Sequence, residues 1–123
     1  MGHLWIEVEI FNLEKTNSEK IKALVDTGAT LTVLPKKFAE RLGVVSISES
    51  EVETVGGRIK MQRGEARINI MVKEEITPVL ISDIIDKVLI GVVILESLGF
   101  SVDPTTGTLK STPLLLYYYQ NNV

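Results

Sequence analysis

Ala23-Leu24-Val25-Asp26-Thr27-Gly28-Ala29-Thr30 is the stretch on which the fold of this chain turns. Three apolar residues run straight into an aspartate, so its carboxylate is expected at the end of an apolar strand, partly desolvated. Thr27 adds a hydroxyl, and Gly28 lets backbone approach closely and tolerates unusual dihedrals. The N–H groups of such a turn can hold a carboxylate in one orientation. A lone carboxylate is poor acid–base equipment. Two that face each other cannot both ionise, so they share a proton and divide the roles of acid and base. The chain has only one Asp-Thr-Gly, so the second carboxylate has to come from another copy of the chain across a two-fold axis.

Outward from this stretch the pattern is that of strands with one buried face. Leu4, Ile6, Val8 and Ile10 alternate with Trp5, Glu7, Glu9 and Phe11, and Ala66, Ile68, Ile70 and Val72 alternate with more polar neighbours. Shorter apolar pieces recur at residues 21–25, 31–34, 44–47, 79–81, 88–90, 100–102 and 114–118, separated by turn-forming residues such as Gly56-Gly57. Two segments break toward helix. Residues 34–43 put Pro35 near the first turn, space Phe38 and Leu42 on one face and end at Gly43, as a left-handed cap requires. Residues 93–99 close on the same Leu-Gly pair. Each helix follows an apolar strand and a glycine-containing turn, a weak internal duplication in which only the first copy carries Asp-Thr-Gly. The expectation is an all-β fold with one or two short helices, a single domain over residues 1–123.

Composition narrows the chemistry. One hundred and twenty-three residues, 45% apolar and 24% charged, suffice for one core and fall short of two ordinary domains. The absence of cysteine excludes disulfides, thiolate metal sites and a cysteine nucleophile. The single histidine, His3, lies at the extreme N-terminus, which argues against a Ser-His-Asp triad or a histidine metal cluster; no metal and no cofactor are expected. A net charge of -3 with interspersed signs shows no basic stripe for nucleic acid. No apolar run is long enough to span a bilayer and no leader pattern opens the chain, so a cytoplasmic protein that binds neither nucleic acid nor membrane is expected. Asp83 and Asp86 read as a polar loop before Val88 rather than a second carboxylate pair. Arg58, Lys60, Arg63 and Arg67 read as a solvated strand face.

Leu24-Val25-Asp26-Thr27-Gly28-Ala29-Thr30, with Leu89-Ile90-Gly91 and a short helix downstream, resembles the retroviral-type (retropepsin-like) aspartic proteases, homodimeric relatives of pepsin. The match runs from about Trp5 to Leu116, and Phe100-Ser101-Val102-Asp103-Pro104 looks like members from cellular organisms. The resemblance implies an acid-protease β-barrel, half of a pepsin-type bilobal enzyme, acting as a homodimeric endopeptidase on a peptide or protein substrate without a cofactor. It implies that Asp26 is the catalytic carboxylate, that Thr27 bonds across the dimer axis, and that Gly28 supports the carboxylate through its N–H. Ala29 would complete the active-site turn, and Ile90 and Gly91 would pack beneath it. Thr54, Val55, Gly56, Gly57 and Arg58 are the candidate tip of a substrate-closing flap, with a tight hairpin as the plainer reading. Leu114, Leu115, Leu116 and Tyr117, together with residues 4–10, are the candidate dimer interface, with an ordinary edge strand as the plainer reading. Viral members often carry an acidic residue two places after the motif glycine and an arginine after the downstream glycine; here those places hold Thr30 and Val92. Two alternatives stand beside the peptidase: a non-catalytic protease-fold dimer that binds a peptide or protein partner, and a monomeric barrel with no carboxylate pair.

Overall fold

The N-terminal alternation becomes strand β1 (Leu4–Phe11), antiparallel to β2 (Ser18–Val25) along its whole length in the computed structural model, which describes residues 3–114 and 116. Val8 and Ile10 of β1 and Ala23 of β2 enter the core. Buried Asn12 fastens the turn between the strands: its amide donates to Thr16 Oγ1 at 2.7 Å and its carbonyl accepts the Asn17 N–H at 3.0 Å. Strand β2 runs into the Asp-Thr-Gly loop, and β3 (Thr32–Pro35) leads out of it into α1 (Lys36–Leu42). Pro35 takes the N-cap position, and Gly43 ends the helix at φ 85, which puts Phe38, Ala39 and Leu42 on the buried face.

Two long antiparallel pairings follow. β4 (Ser48–Thr54) and β5 (Gly57–Ile70) form a hairpin, and β6 (Lys73–Ser82) returns along β5 from Ile70 opposite Lys73 to Gln62 opposite Ile81. β7 (Leu89–Ile90) lies parallel to β2, and α2 (Val92–Ser97) follows it directly. The hairpin of β8 (Phe100–Asp103) and β9 (Thr108–Ser111) forms a second, two-stranded sheet. The main sheet has the order β1-β2-β7-β3-β6-β5-β4, and residues 9–11 of β1 also pair with residues 67–69 of β5. That extra pairing curls the sheet around a core that includes Ile10, Leu34, Ile68, Ile70, Ile90 and Ile94. Among the described residues no helix is long and apolar enough to cross a membrane.

The structure corrects two expectations from the sequence. Residues 44–47 are not a strand: Val44 is buried, but Val45 and Ile47 are exposed where the chain leaves α1. The strand expected at residues 66–72 starts at Gly57 and stops at Ile70. Met71 and Val72, at φ 51 and 66, make the two-residue turn into β6 instead. Positive φ at both central residues matches the twist of a tight hairpin, but a valine there is a backbone outlier that an apolar pattern disguises as strand. Residues 4–10 form part of β1 and pair with β2 of the same chain. Leu114 and Leu116 are exposed and belong to no strand, while Leu115 and Tyr117 lie outside the described residues.

Candidate active site

Parallel pairing of β2 with β7, Leu24 opposite Leu89 and Val25 opposite Ile90, brings Asp26 beside Gly91. The Asp26 N–H donates to the Ile90 carbonyl at 2.9 Å, extending the ladder by one residue past the strand. The Ala29 N–H then closes the loop on the Asp26 carbonyl at 3.0 Å. On the side chain, Oδ1 accepts the Gly28 N–H at 3.0 Å, which holds the half-buried carboxylate in one orientation. A Cβ at residue 28 would lie 3.3 Å from that oxygen, crowding the acceptor. Thr27 and Gly28 are exposed at the loop tip.

Gly91 has a different reason to be glycine. A Cβ there would lie 2.6 Å from the Leu31 carbonyl carbon and 2.8 Å from the Thr30 carbonyl oxygen, closer than real contacts come. With no side chain in the way, the two loops dock through backbone: Val92 N–H to Ala29 carbonyl at 2.9 Å, Val93 N–H to Thr30 carbonyl at 3.1 Å. Thr30 and Val92 each take part in one of these bonds, through the Thr30 carbonyl and the Val92 N–H. The Gly91 N–H donates to Thr32 Oγ1 at 3.2 Å, and Thr32 is only 2% exposed. Thr32 was not among the residues expected at the site. Its one signal is a hydroxyl set between Leu31 and Val33 in an otherwise apolar run.

Above the loop lies a groove of about 840 Å³, bounded by Asp26, Gly28, Ala29, the inner side of the β4–β5 hairpin and Ile84 and Ile85 of the loop after β6. Its lining is mainly apolar: Leu31, Val33, Leu80 and Leu89 below, Val52, Ile59 and Met61 on the hairpin. Ser82, buried, accepts the N–H groups of Ile84 and Ile85 and so shapes the loop that carries them. Of the five residues expected at the hairpin tip, Thr54 and Val55 line the groove. Gly56 donates to Thr54 Oγ1 at 3.1 Å, that hydroxyl donates to the Gly57 carbonyl at 2.7 Å, and Gly57 sits at φ 114. Arg58 pairs with Glu53 at 3.0 Å in solvent and does not line the groove.

Asp83 and Asp86 lie on the loop between β6 and β7, and among the described residues only Asp86 has an ion pair, with Lys87 at 2.7 Å. The hydrogen bond and positive charge of Lys87 hold the Asp86 carboxyl below its ordinary range. No cluster of three metal-ligating side chains occurs among the described residues.

Residues 14–97 match the family described as gag-polyprotein putative aspartyl protease, and the chain belongs to that retropepsin-like aspartyl protease family. Among solved structures, the EIAV protease in complex with the inhibitor HBY-793 is similar in fold, with a TM-score of 0.62 over 94% of each chain at 23% sequence identity. The mainly β architecture with two short helices is the retroviral protease fold. No curated protein matches the sequence.

Proposed function

We propose that two copies of this chain form an aspartic endopeptidase whose active site is the pair of Asp26 carboxylates. The observation that carries this is the half-buried Asp26 carboxylate, held by the Gly28 N–H at the floor of a peptide-sized groove, in a chain with one Asp-Thr-Gly. Across the two-fold axis one carboxylate is ionised and the other protonated, since repulsion opposes a double charge. The ionised group takes a proton from a bound water as its oxygen attacks the peptide carbonyl carbon. The protonated group gives its proton to the carbonyl oxygen, producing a neutral tetrahedral diol. Collapse of the diol returns a proton through the pair to the amide nitrogen as the C–N bond breaks, leaving a carboxylic acid and an amine. The Thr27 hydroxyls at the two loop tips meet at the axis, and the β4–β5 hairpin closes over the substrate, excluding water and adding backbone hydrogen bonds to an extended peptide.

The test is Asp26→Asn, with cleavage of a peptide library followed over roughly pH 3 to 7, the range in which carboxylates titrate. Wild type should cleave as a dimer, and the variant should lose cleavage while keeping fold and mass. Cleavage by a clean preparation of the variant refutes the assignment. Peptide binding without cleavage by wild type supports the non-catalytic, peptide-binding dimer instead.

A further inference from the structure

The groove has one cation in its wall that its own chain leaves largely unspent. A row of paired residues crosses the sheet: Leu89 opposite Val33, Val33 opposite Leu80, Leu80 opposite Arg63. Directly paired residues project to the same face, and all four line the groove. The apolar row under the substrate path therefore ends on a guanidinium. Arg63 is half-buried, and its Nη1 donates to Ser50 Oγ at 3.2 Å. That is its one side-chain hydrogen bond among the described residues, and no carboxylate lies within ion-pair distance of it there.

The other three arginines are spent on the protein. Arg41 holds Glu19, Arg58 holds Glu53, and Arg67 donates from Nε to the Leu13 carbonyl at 2.7 Å. Two glutamates also line the groove, but neither neutralises Arg63: Glu53 is paired with Arg58, and Glu51 sits opposite Lys60 in the β4–β5 ladder. A guanidinium carries five donors in a planar fork that fits a carboxylate, and water is the poorer partner for it in a half-buried, apolar wall.

We infer that Arg63 is a specificity-determining residue, forming a subsite that takes an acidic side chain of the bound peptide. This rests on the groove being a peptide site, as proposed above. Because a homodimer presents two copies of Arg63 related by the two-fold axis, the acidic preference falls at one position on each side of the reacting bond.

The experiment uses peptides with an apolar pair at the centre and Glu, Gln or Lys placed at one flanking position at a time. Cleavage is measured with wild type, Arg63→Gln and Arg63→Glu. Binding of the same peptides, dye-labelled, to Asp26→Asn with and without Arg63→Gln is measured by fluorescence anisotropy, and melting curves check that every variant folds. Wild type should favour Glu over Gln by about tenfold in kcat/KM at one position on each side, as expected for one charged hydrogen bond. The difference should lie in KM and shrink with added salt. Arg63→Gln should erase the preference, and Arg63→Glu should turn it toward Lys. A charge preference in binding that requires Arg63, without cleavage by wild type, upholds the subsite and refutes the peptidase. Cleavage or binding that ignores charge at every position, or a Glu preference that survives Arg63→Gln, overturns the subsite and leaves the peptidase standing.

Discussion

The floor and the roof of the groove both depend on glycine, for opposite reasons. In the floor, Gly91 has φ -88, a conformation open to any residue, yet a Cβ there would strike the Leu31 and Thr30 backbone. In the roof, Gly57 has nothing within 4 Å of a Cβ, yet its φ of 114 disfavours every side chain. One glycine is required by crowding, the other by conformation. The surroundings differ in the same sense. The floor is tied by backbone bonds from Asp26 to Ile90, Val92 to Ala29 and Val93 to Thr30. The hairpin tip is held by its own ladder and Thr54, with Val55 fully exposed. A crowded floor and an uncrowded roof are therefore built from the same residue type, and substitution can separate them.

Gly91→Ala should have the largest effect. The new methyl meets backbone atoms that cannot rotate away, so relief requires moving two loops apart, at a cost of about 3 kcal/mol or more. For a domain of this size that lowers Tm by roughly 10 °C, with cleavage lost along with the loop geometry. Gly64→Ala is the control, because a Cβ there would lie 2.4 Å from the Val45 carbonyl, at a crossing of β5 away from Asp26. Both should destabilise, but Gly91→Ala should remove peptide binding in protein that remains folded at low temperature, whereas Gly64→Ala, beside Arg63, should alter at most the preference for an acidic side chain. A wild-type melting curve for Gly91→Ala would break the crowding half of the comparison.

Thr32→Val tests the floor more gently. It preserves shape but leaves the buried Gly91 N–H without its acceptor, at a cost of about 1–2 kcal/mol. Thr32→Ser retains the hydroxyl and should recover most of the loss, apart from the missing methyl. Equal destabilisation by Val and Ser would assign the effect to packing and remove the hydrogen bond from the account of the floor.

How much of this could be read from sequence follows from how each residue is used. The docking of Asp26-Thr27-Gly28 against Leu89-Ile90-Gly91 was legible because a glycine is required where the two loops meet. Thr32 was not, since one acceptor oxygen in an apolar run looks like any threonine in a strand. The length of β5 was hidden by a change of buried face. Ile59 and Met61 line the groove at odd positions, while Ala66, Ile68 and Ile70 enter the core at even ones, so one strand reads as two pieces. Arg63 lies at that change of phase, beside Gly64. For this reason Arg58, Lys60, Arg63 and Arg67 look like one basic face in sequence, whereas only Arg63 lines the groove. The turn at Met71 and Val72 carries no glycine or asparagine to announce its positive φ.

Gly57→Ala should have the smallest effect on stability and the sharpest effect on function relative to it. The strain of a side chain at positive φ is about 1–2 kcal/mol. A hairpin tip can shed part of it by fraying, because its backbone faces water and no neighbour resists movement. Tm should therefore fall by no more than roughly 5 °C. Fraying costs the tip its defined shape, which matters only when the hairpin closes on a peptide. Under the proposed mechanism kcat/KM then drops by about tenfold, equivalent to about 1.4 kcal/mol of binding no longer realised at the reacting centre. The ratio of the two losses is the informative quantity. A floor substitution such as Thr32→Val should lower stability and activity together, whereas Gly57→Ala should lower activity at nearly constant stability. If Gly57→Ala cleaves peptides as fast as wild type, the tip is a plain turn, and closure must be sought in Ile84 and Ile85 of the loop after β6.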